Sequence, residues 1–194
     1  MFLGIVAGLA CALFQSVSYV CSAGFMLRFK SSLRLVIFSQ LVMGAFCLPF
    51  APFLFPPQLL ECLPEFILWV IAWIGCFTVG QIGFFTTLRS IEASRMSSLL
   101  GLKILVLAMI CVLFAGTPLS GLQWFAVLLS TVAAVGMNFS GGALSPRGCL
   151  FLLLTLLTYA TADFVETAMI LMMPGESLLL NSVAVTGVAF SVLG

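Results

Sequence analysis

Long apolar stretches with very few charges recur along the chain and limit what it can fold into. They cover residues 3–27, 33–55, 66–88, 96–115, 122–140, 148–172 and 178–194. A membrane-spanning helix needs about 20 apolar residues, because each residue rises 1.5 Å and the hydrocarbon core is about 30 Å thick. With 63% hydrophobic and 7% charged residues, a 194-residue globule could not bury so much apolar surface. The sequence therefore predicts an all-α, polytopic membrane helix bundle of seven spans, the last of them incomplete.

The positions of the charged residues support the same division of the chain into spans. Of the 7 basic and 6 acidic residues, only Lys103, Asp163 and Glu166 fall well inside the predicted spans. The other basic residues lie between the spans or at the edge of one, and they follow only the first, third and fifth spans: Arg28, Lys30, Arg34, Arg89, Arg95 and Arg147. The positive-inside rule places these loops in the cytoplasm and the first residue outside. We expect a multi-pass protein of the plasma membrane, with membrane lipid as a partner.

Several function classes are disfavoured by composition. A net charge of +1 and the lack of a basic block argue against nucleic acid as a partner. There is no histidine, and the seven cysteines show no C-x-x-C spacing, so we expect no metal site and no cofactor. No nucleophile and base are placed together, so we predict no catalytic residue and no enzyme activity.

The chain contains a weak internal repeat with an offset of 140 residues. Gly8 corresponds to Gly148, Gln15 to Thr155, Ser18 to Thr158 and Tyr19 to Tyr159. Residues 1–142 then form a first five-helix unit, and residues 143–194 form the first two helices of a second, incomplete unit. Because five is an odd number, the second unit must enter the membrane in the opposite direction. The offset therefore predicts part of a 5+5 inverted repeat, an architecture found in many secondary transporters.

Polar and small residues lie on one face of the first span and of the sixth, at spacings of three and four. Gln15 and Tyr159 both fall near the membrane midplane, where transporter sites usually lie. Helix packing through hydrogen bonds is an equal alternative for the amide and the hydroxyls, and close helix packing is the expected role of Gly4 and Gly8. The candidates for substrate binding or path lining are Gln15, Ser18, Tyr19, Ser22, Lys103, Thr155, Thr158, Tyr159, Asp163 and Glu166.

The three charges inside the spans need a partner or water. A carboxylate in hydrocarbon costs a few kcal/mol or more unless it is neutralised, paired or hydrated. Asp163 and Glu166 are therefore expected to face an aqueous cavity, where one of them binds a cationic group or a coupling proton, or else to reach the far interface. Lys103 either extends back to the interface or pairs with an acid or a substrate carboxylate. The trio Arg89, Glu92 and Arg95 predicts weak local pairing only.

Residues 84–142 resemble the drug/metabolite transporter superfamily, specifically an EamA-like domain. Thr87, Leu88, Ala93 and Ser94 correspond to a helix connection A-L-x-x-x-x-A-S; Gly116, Thr117, Pro118, Leu119 and Ser120 correspond to a G-E-x-L-S turn, which Gln123 and Trp124 follow. The resemblance implies ten helices in two inverted units that move amino acids, metabolites or drugs. It covers one complete unit and the start of another, so the chain is expected either to lack a second half or to assemble as a homo-oligomer.

The chain departs from this family in two places. Thr117 stands where the family has glutamate, and the fourth span lacks the family's central proline near Lys103 and Ile104. The family also implies that both ends lie in the cytoplasm, against the charge count above. The sequence favours a carrier of small solutes that works by alternating access. The alternative is a non-transporting membrane protein: a lipid-handling protein, an assembly factor or an intramembrane enzyme.

Overall fold

Most of the described part of the chain is helical. The computed structural model describes residues 2–47, 49, 63–89, 91–138, 145–173 and 177–193, with side chains from residue 6 onward, and these residues contain no strand. Their helices are α1 (Phe2–Phe29), α2 (Ser32–Cys47), α3 (Leu63–Thr87), α4 (Ala93–Leu100), α5 (Lys103–Phe114), α6 (Gly121–Asn138), α7 (Pro146–Met172) and α8 (Leu178–Leu193). The predicted all-α fold is confirmed.

Five helical segments are long and apolar enough to cross a membrane. Four are single helices, α1, α3, α6 and α7, and the fifth is Ala93–Phe114, which combines α4 and α5. The remaining two, α2 and α8, have 16 residues each. At 1.5 Å per residue they are about 24 Å long, shorter than the hydrocarbon core. The predicted second span, 33–55, continues beyond α2 into residues that lie outside the described part of the chain.

Local sequence signals fix several helix ends. Ser145 precedes α7 and its hydroxyl accepts a hydrogen bond from the Gly148 amide at 3.1 Å, with Pro146 as the first helical residue. Before α6, the Ser120 amide donates to Gln123 Oε1 at 2.7 Å, and the Gln123 amide donates back to Ser120 Oγ at 3.3 Å. This reciprocal pair is a capping box.

The third and sixth predicted spans, α3 and α7, are the most closely packed pair of helices. Phe66 and Trp73 near the start of α3 share a core with Met169 near the end of α7. Phe84 at the other end of α3 shares a second core with Leu152 near the start of α7. The two helices therefore run antiparallel, as an odd-numbered and an even-numbered span must if every span crosses the membrane.

Two glycines let α3 and α7 approach each other. A Cβ atom on Gly80 would lie 2.5 Å from Cδ1 of Tyr159, and one on Gly83 would lie 2.6 Å from Oγ1 of Thr155. Real Cβ atoms do not come so close to their neighbours, so the backbone separation itself depends on glycine. Small residues commonly permit such contacts between membrane helices. By contrast, a Cβ atom on Gly8 would have no atom of another helix within 4 Å, so the approach predicted at that residue is not seen.

The other helices surround this pair. Helix α5 packs on α7, α8 packs on α2 and α7, and α4 packs on α6. The first helix has its main contacts with α2 and α4 and leaves large apolar side chains exposed, among them Leu9, Leu13 and Phe14. Lipid chains are the solvent that suits such a surface.

We predict that Gly83→Ala lowers the melting temperature of the detergent-solubilised protein. The added methyl group meets Thr155 Oγ1, which is already hydrogen-bonded to the Phe151 carbonyl at 2.8 Å and cannot turn away freely. Overpacking of this kind costs about 1–3 kcal/mol, more than the roughly 0.5–1 kcal/mol that alanine contributes to a helix.

Gly75→Ala is the matched control, because Gly75 lies on the same helix with no neighbouring atom within 4 Å. It should be neutral or slightly stabilising. Adding Thr155→Ala to Gly83→Ala should recover part of the loss. Equal melting temperatures for the two single glycine variants would contradict the close contact described here.

Candidate functional site

A salt bridge joins two of the charges that lie inside the spans. Lys103 Nζ on α5 is 2.7 Å from Asp163 Oδ2 on α7, and the two side chains are 31% and 40% exposed. Asp163 comes 17 residues after Pro146 and Lys103 comes 10 residues after Ala93, about 26 Å and 15 Å along their spans. Both therefore lie well inside the membrane-spanning part of the bundle. Pairing offsets part of the cost of placing these charges at such a depth, where a lone charge in contact with hydrocarbon costs several kcal/mol.

A break in the fourth predicted span places Lys103. The amides of Gly101 and Leu102 donate to carbonyls three residues earlier, at 3.0 Å each, and the amides of Ile104 and Leu105 do the same at 3.2 and 3.1 Å. This short 3₁₀ turn separates α4 from α5 without a proline. Lys103 is the first residue of α5, and the positive end of that helix also favours a carboxylate such as Asp163 nearby.

The second carboxylate on α7, that of Glu166, has its partner on a different helix from the partner of Asp163. Glu166 Oε1 accepts a hydrogen bond from the Thr186 hydroxyl of α8 at 2.8 Å. Glu166 and Asp163 therefore bind to different helices, α8 and α5, although they are only three residues apart. Both side chains remain partly exposed.

The two tyrosines related by the 140-residue offset lie on the same region of the bundle. The Tyr19 ring lies 5.0 Å from the ring of Phe84 on α3, and the Tyr159 ring lies 5.8 Å from that of Phe77. Both tyrosines border the core cluster that contains Phe84. On their own helices, Gln15 lies one turn before Tyr19, and Tyr159 lies one turn before Asp163 of the salt bridge.

The hydroxyl groups are satisfied within their own helices. Thr155 Oγ1 donates to the Phe151 carbonyl at 2.8 Å, and Thr158 Oγ1 donates to the Leu154 carbonyl at 2.7 Å. Thr155 is 0% exposed, in the contact between α3 and α7, so it packs helices together. Thr158 is half-buried and close to Gly80.

Some predicted site residues, all on α1, lie outside the contact between α3 and α7. Gln15 and Ser18 are exposed on α1, and Ser22 is half-buried. The polar faces predicted on the first and sixth spans belong to helices with different main neighbours: those of α7 are α3 and α5, and those of α1 are α4 and α2. Helix α3 contributes Phe84 between the two tyrosine-bearing helices, and α5 contributes Lys103.

Two polar residues outside the predicted set, Thr186 and Gln40, also bear on how polar groups are accommodated in the bundle. Thr186 is the partner of Glu166. Gln40 on α2 is 6% exposed, and within the described part of the chain neither its amide nitrogen nor its amide oxygen has a hydrogen-bond partner. An unpartnered amide is costly where water is scarce, which points to water or a bound polar group beside it. The sequence signal for Gln40 is a lone amide inside an apolar run, the same signal that singled out Gln15.

These observations define the class: an all-α, multi-pass membrane protein with a charged pair inside its helix bundle. No family model, no curated protein and no solved structure matches this chain.

We predict that Lys103 and Asp163 stabilise the bundle as a pair. Lys103→Met and Asp163→Asn should each lower the melting temperature in detergent, because each leaves the other group without its partner. The double variant should be more stable than the sum of the single effects predicts, with a coupling free energy on the order of 1 kcal/mol. Thermal unfolding of the four proteins measures this coupling.

The corresponding cycle with Glu166→Gln in place of Asp163→Asn is the control. Glu166 lies on the same helix but binds Thr186. Its coupling to Lys103 should be close to zero. Full additivity of the Lys103 and Asp163 variants would contradict the salt bridge.

Proposed function

We propose that the chain is a membrane transporter of small polar or amphipathic solutes, among them amino acids, metabolites or drugs. The observation that carries the proposal is the Lys103–Asp163 salt bridge beside a broken membrane span. Interrupted helices and paired charges near the midplane are the usual components of solute sites in secondary transporters.

The salt bridge suits exchange with a solute. A bound solute that carries a carboxylate can replace Asp163 as the partner of Lys103, and an ammonium group can replace Lys103 as the partner of Asp163. When the solute supplies both groups, neither Lys103 nor Asp163 is left alone in a medium of low dielectric constant. An unpaired charge is the main cost of opening an ion pair in a membrane. A zwitterionic amino acid satisfies both groups at once. The aromatic rings of Tyr159 and Phe77 provide apolar contact nearby.

We further propose an inverted repeat whose two units rock around this site, in keeping with the resemblance to EamA-like transporters and with a location in the plasma membrane. Two features of the packing support it. Tyr19 and Tyr159, equivalent under the offset, border the same core cluster. Helices α2 and α8, also equivalent, pack directly on each other. Proximity of equivalent elements is expected near a pseudo-two-fold axis.

The test of transport is solute flux. The full-length protein is reconstituted in liposomes and labelled amino acids and metabolites are screened against empty vesicles. We expect at least one solute to enter faster than in empty vesicles, and Asp163→Asn to reduce that flux about tenfold or more, because loss of one charge-assisted contact is worth roughly 1.5–3 kcal/mol.

Glu65→Gln is the matched control, since it makes the same chemical change at an exposed residue in the first turn of α3. Its flux should equal that of the unmodified protein. If no solute crosses faster than in empty vesicles, or if Asp163→Asn transports normally, the proposal is wrong.

A second prediction concerns water in the path. In a background without native cysteines, Ser18→Cys and Thr158→Cys should react with charged, membrane-impermeant thiol reagents, because the thiolate that reacts forms only in water. Val17→Cys and Leu157→Cys are neighbours at the same depth with exposed apolar side chains, and they should stay unlabelled. Equal labelling at all four residues, or at none, would exclude an aqueous path beside α1 and α7.

A further inference from the structure

A separate cavity lies where α1 ends and where α3 passes into α4. This end of the bundle is opposite to the end at which α7 finishes. Its volume is about 630 Å³. That is within the range of about 300–1,000 Å³ typical of small-molecule sites. Ala23, Met26 and Leu27 of α1 form one wall, and Leu88 and Ile91 form another. Much of the cavity lining is therefore apolar.

The cavity lining also includes charged side chains. Lys30, Arg89 and Glu92 all line the cavity. The Arg89 guanidinium donates a hydrogen bond to the Lys30 carbonyl, which holds it against the end of α1. Lys30 has a positive φ of 51°, a conformation in which the chain leaves α1 and turns toward α2. Two cations from separate loops are thus brought to one opening.

Neither cation is neutralised by the neighbouring acid. Among the described residues, Glu92 forms no salt bridge with Lys30 or Arg89, and its side chain does not cap α4. The predicted local pairing around Arg89 is therefore not seen; Arg89 binds Lys30 instead. Within the described part of the chain, the hydrogen bond to Lys30 uses one of the five guanidinium N–H groups of Arg89. The three charges that line the cavity sum to +1, which matches the single negative charge of a phosphate diester better than the roughly −2 of a phosphate monoester.

We propose that this cavity binds an anionic phospholipid. The phosphate diester lies between Lys30 and Arg89, and the first part of an acyl chain lies along the wall formed by Met26, Leu27 and Ile91. Basic pockets at the ends of membrane helices bind acidic headgroups in this manner, because the cations meet the headgroup at the interface while the apolar wall meets the chain. The proposal is independent of transport: a protein that moves no solute would still bind this lipid.

The experiment measures lipid binding to the full-length protein in detergent by native mass spectrometry, with phosphatidylglycerol, phosphatidylcholine of equal chain length, and inorganic phosphate as probes. We expect one phosphatidylglycerol to bind more tightly than phosphatidylcholine, and its affinity to rise with acyl chain length. Lys30→Asn and Arg89→Gln should each weaken binding about fivefold, the contribution of one cation near a membrane surface. Asn tolerates a positive φ, and Gln retains a donor for the Lys30 carbonyl, so both variants preserve the local backbone.

Two variants serve as controls. Arg34→Gln removes a cation from the same side of the membrane but outside the cavity, and should leave the affinity unchanged. Glu92→Gln should bind equally or more tightly. Three results would each overturn the proposal: equal loss in Arg34→Gln, which indicates unspecific surface charge; weaker binding in Glu92→Gln; or displacement of the lipid by millimolar inorganic phosphate, which indicates a site for the free anion.

Discussion

The close contact between α3 and α7 is the interaction on which the remaining packing depends. Gly80 and Gly83 remove the side chains that would hold the two backbones apart, and Tyr159 and Thr155 fill the space that results. Hydrophobic burial does not favour helix association in a membrane as it does in water, because lipid is as apolar as the helices. Close van der Waals contact replaces it. Both core clusters lie along this pair of helices, so the positions of α2, α4 and α8 follow from it.

The lengths of the apolar runs and the scarcity of charge within them predicted the helices well. In lipid the backbone must satisfy its own hydrogen bonds, which leaves a chain of this composition few alternatives to helices. Segment bounds agree closely for α1, α3, α6 and α7. The same signals could not show that the fourth span breaks at Gly101 and Leu102. That break depends on hydrogen bonds between residues three apart, which the apolar length of the run does not reveal. A proline in this span would have indicated a break, whereas a single glycine does not.

The candidate site was predictable in part. Charge inside an apolar run singled out Lys103 and Asp163, and the structure joins them at 2.7 Å. Which acid Lys103 would meet was open, because Asp163 and Glu166 are equally placed in sequence. Their separation arises from packing: α5 lies against one side of α7 and α8 against the other. Phe84 and Thr186 were missed for the same reason, since an aromatic ring or a hydroxyl in a membrane span gives no signal of its own until its neighbours are known.

The separation of α3 and α7 along the chain has a consequence for biogenesis. Three helices, α4, α5 and α6, are synthesised between them. The tightest contact in the bundle therefore cannot form until the ribosome has passed residue 172, and the earlier helices must remain in the bilayer, or beside an insertion factor, with their principal partner missing. Assembly is consequently a late event, governed by lateral diffusion and docking of helices already inserted rather than by local folding as the nascent chain emerges.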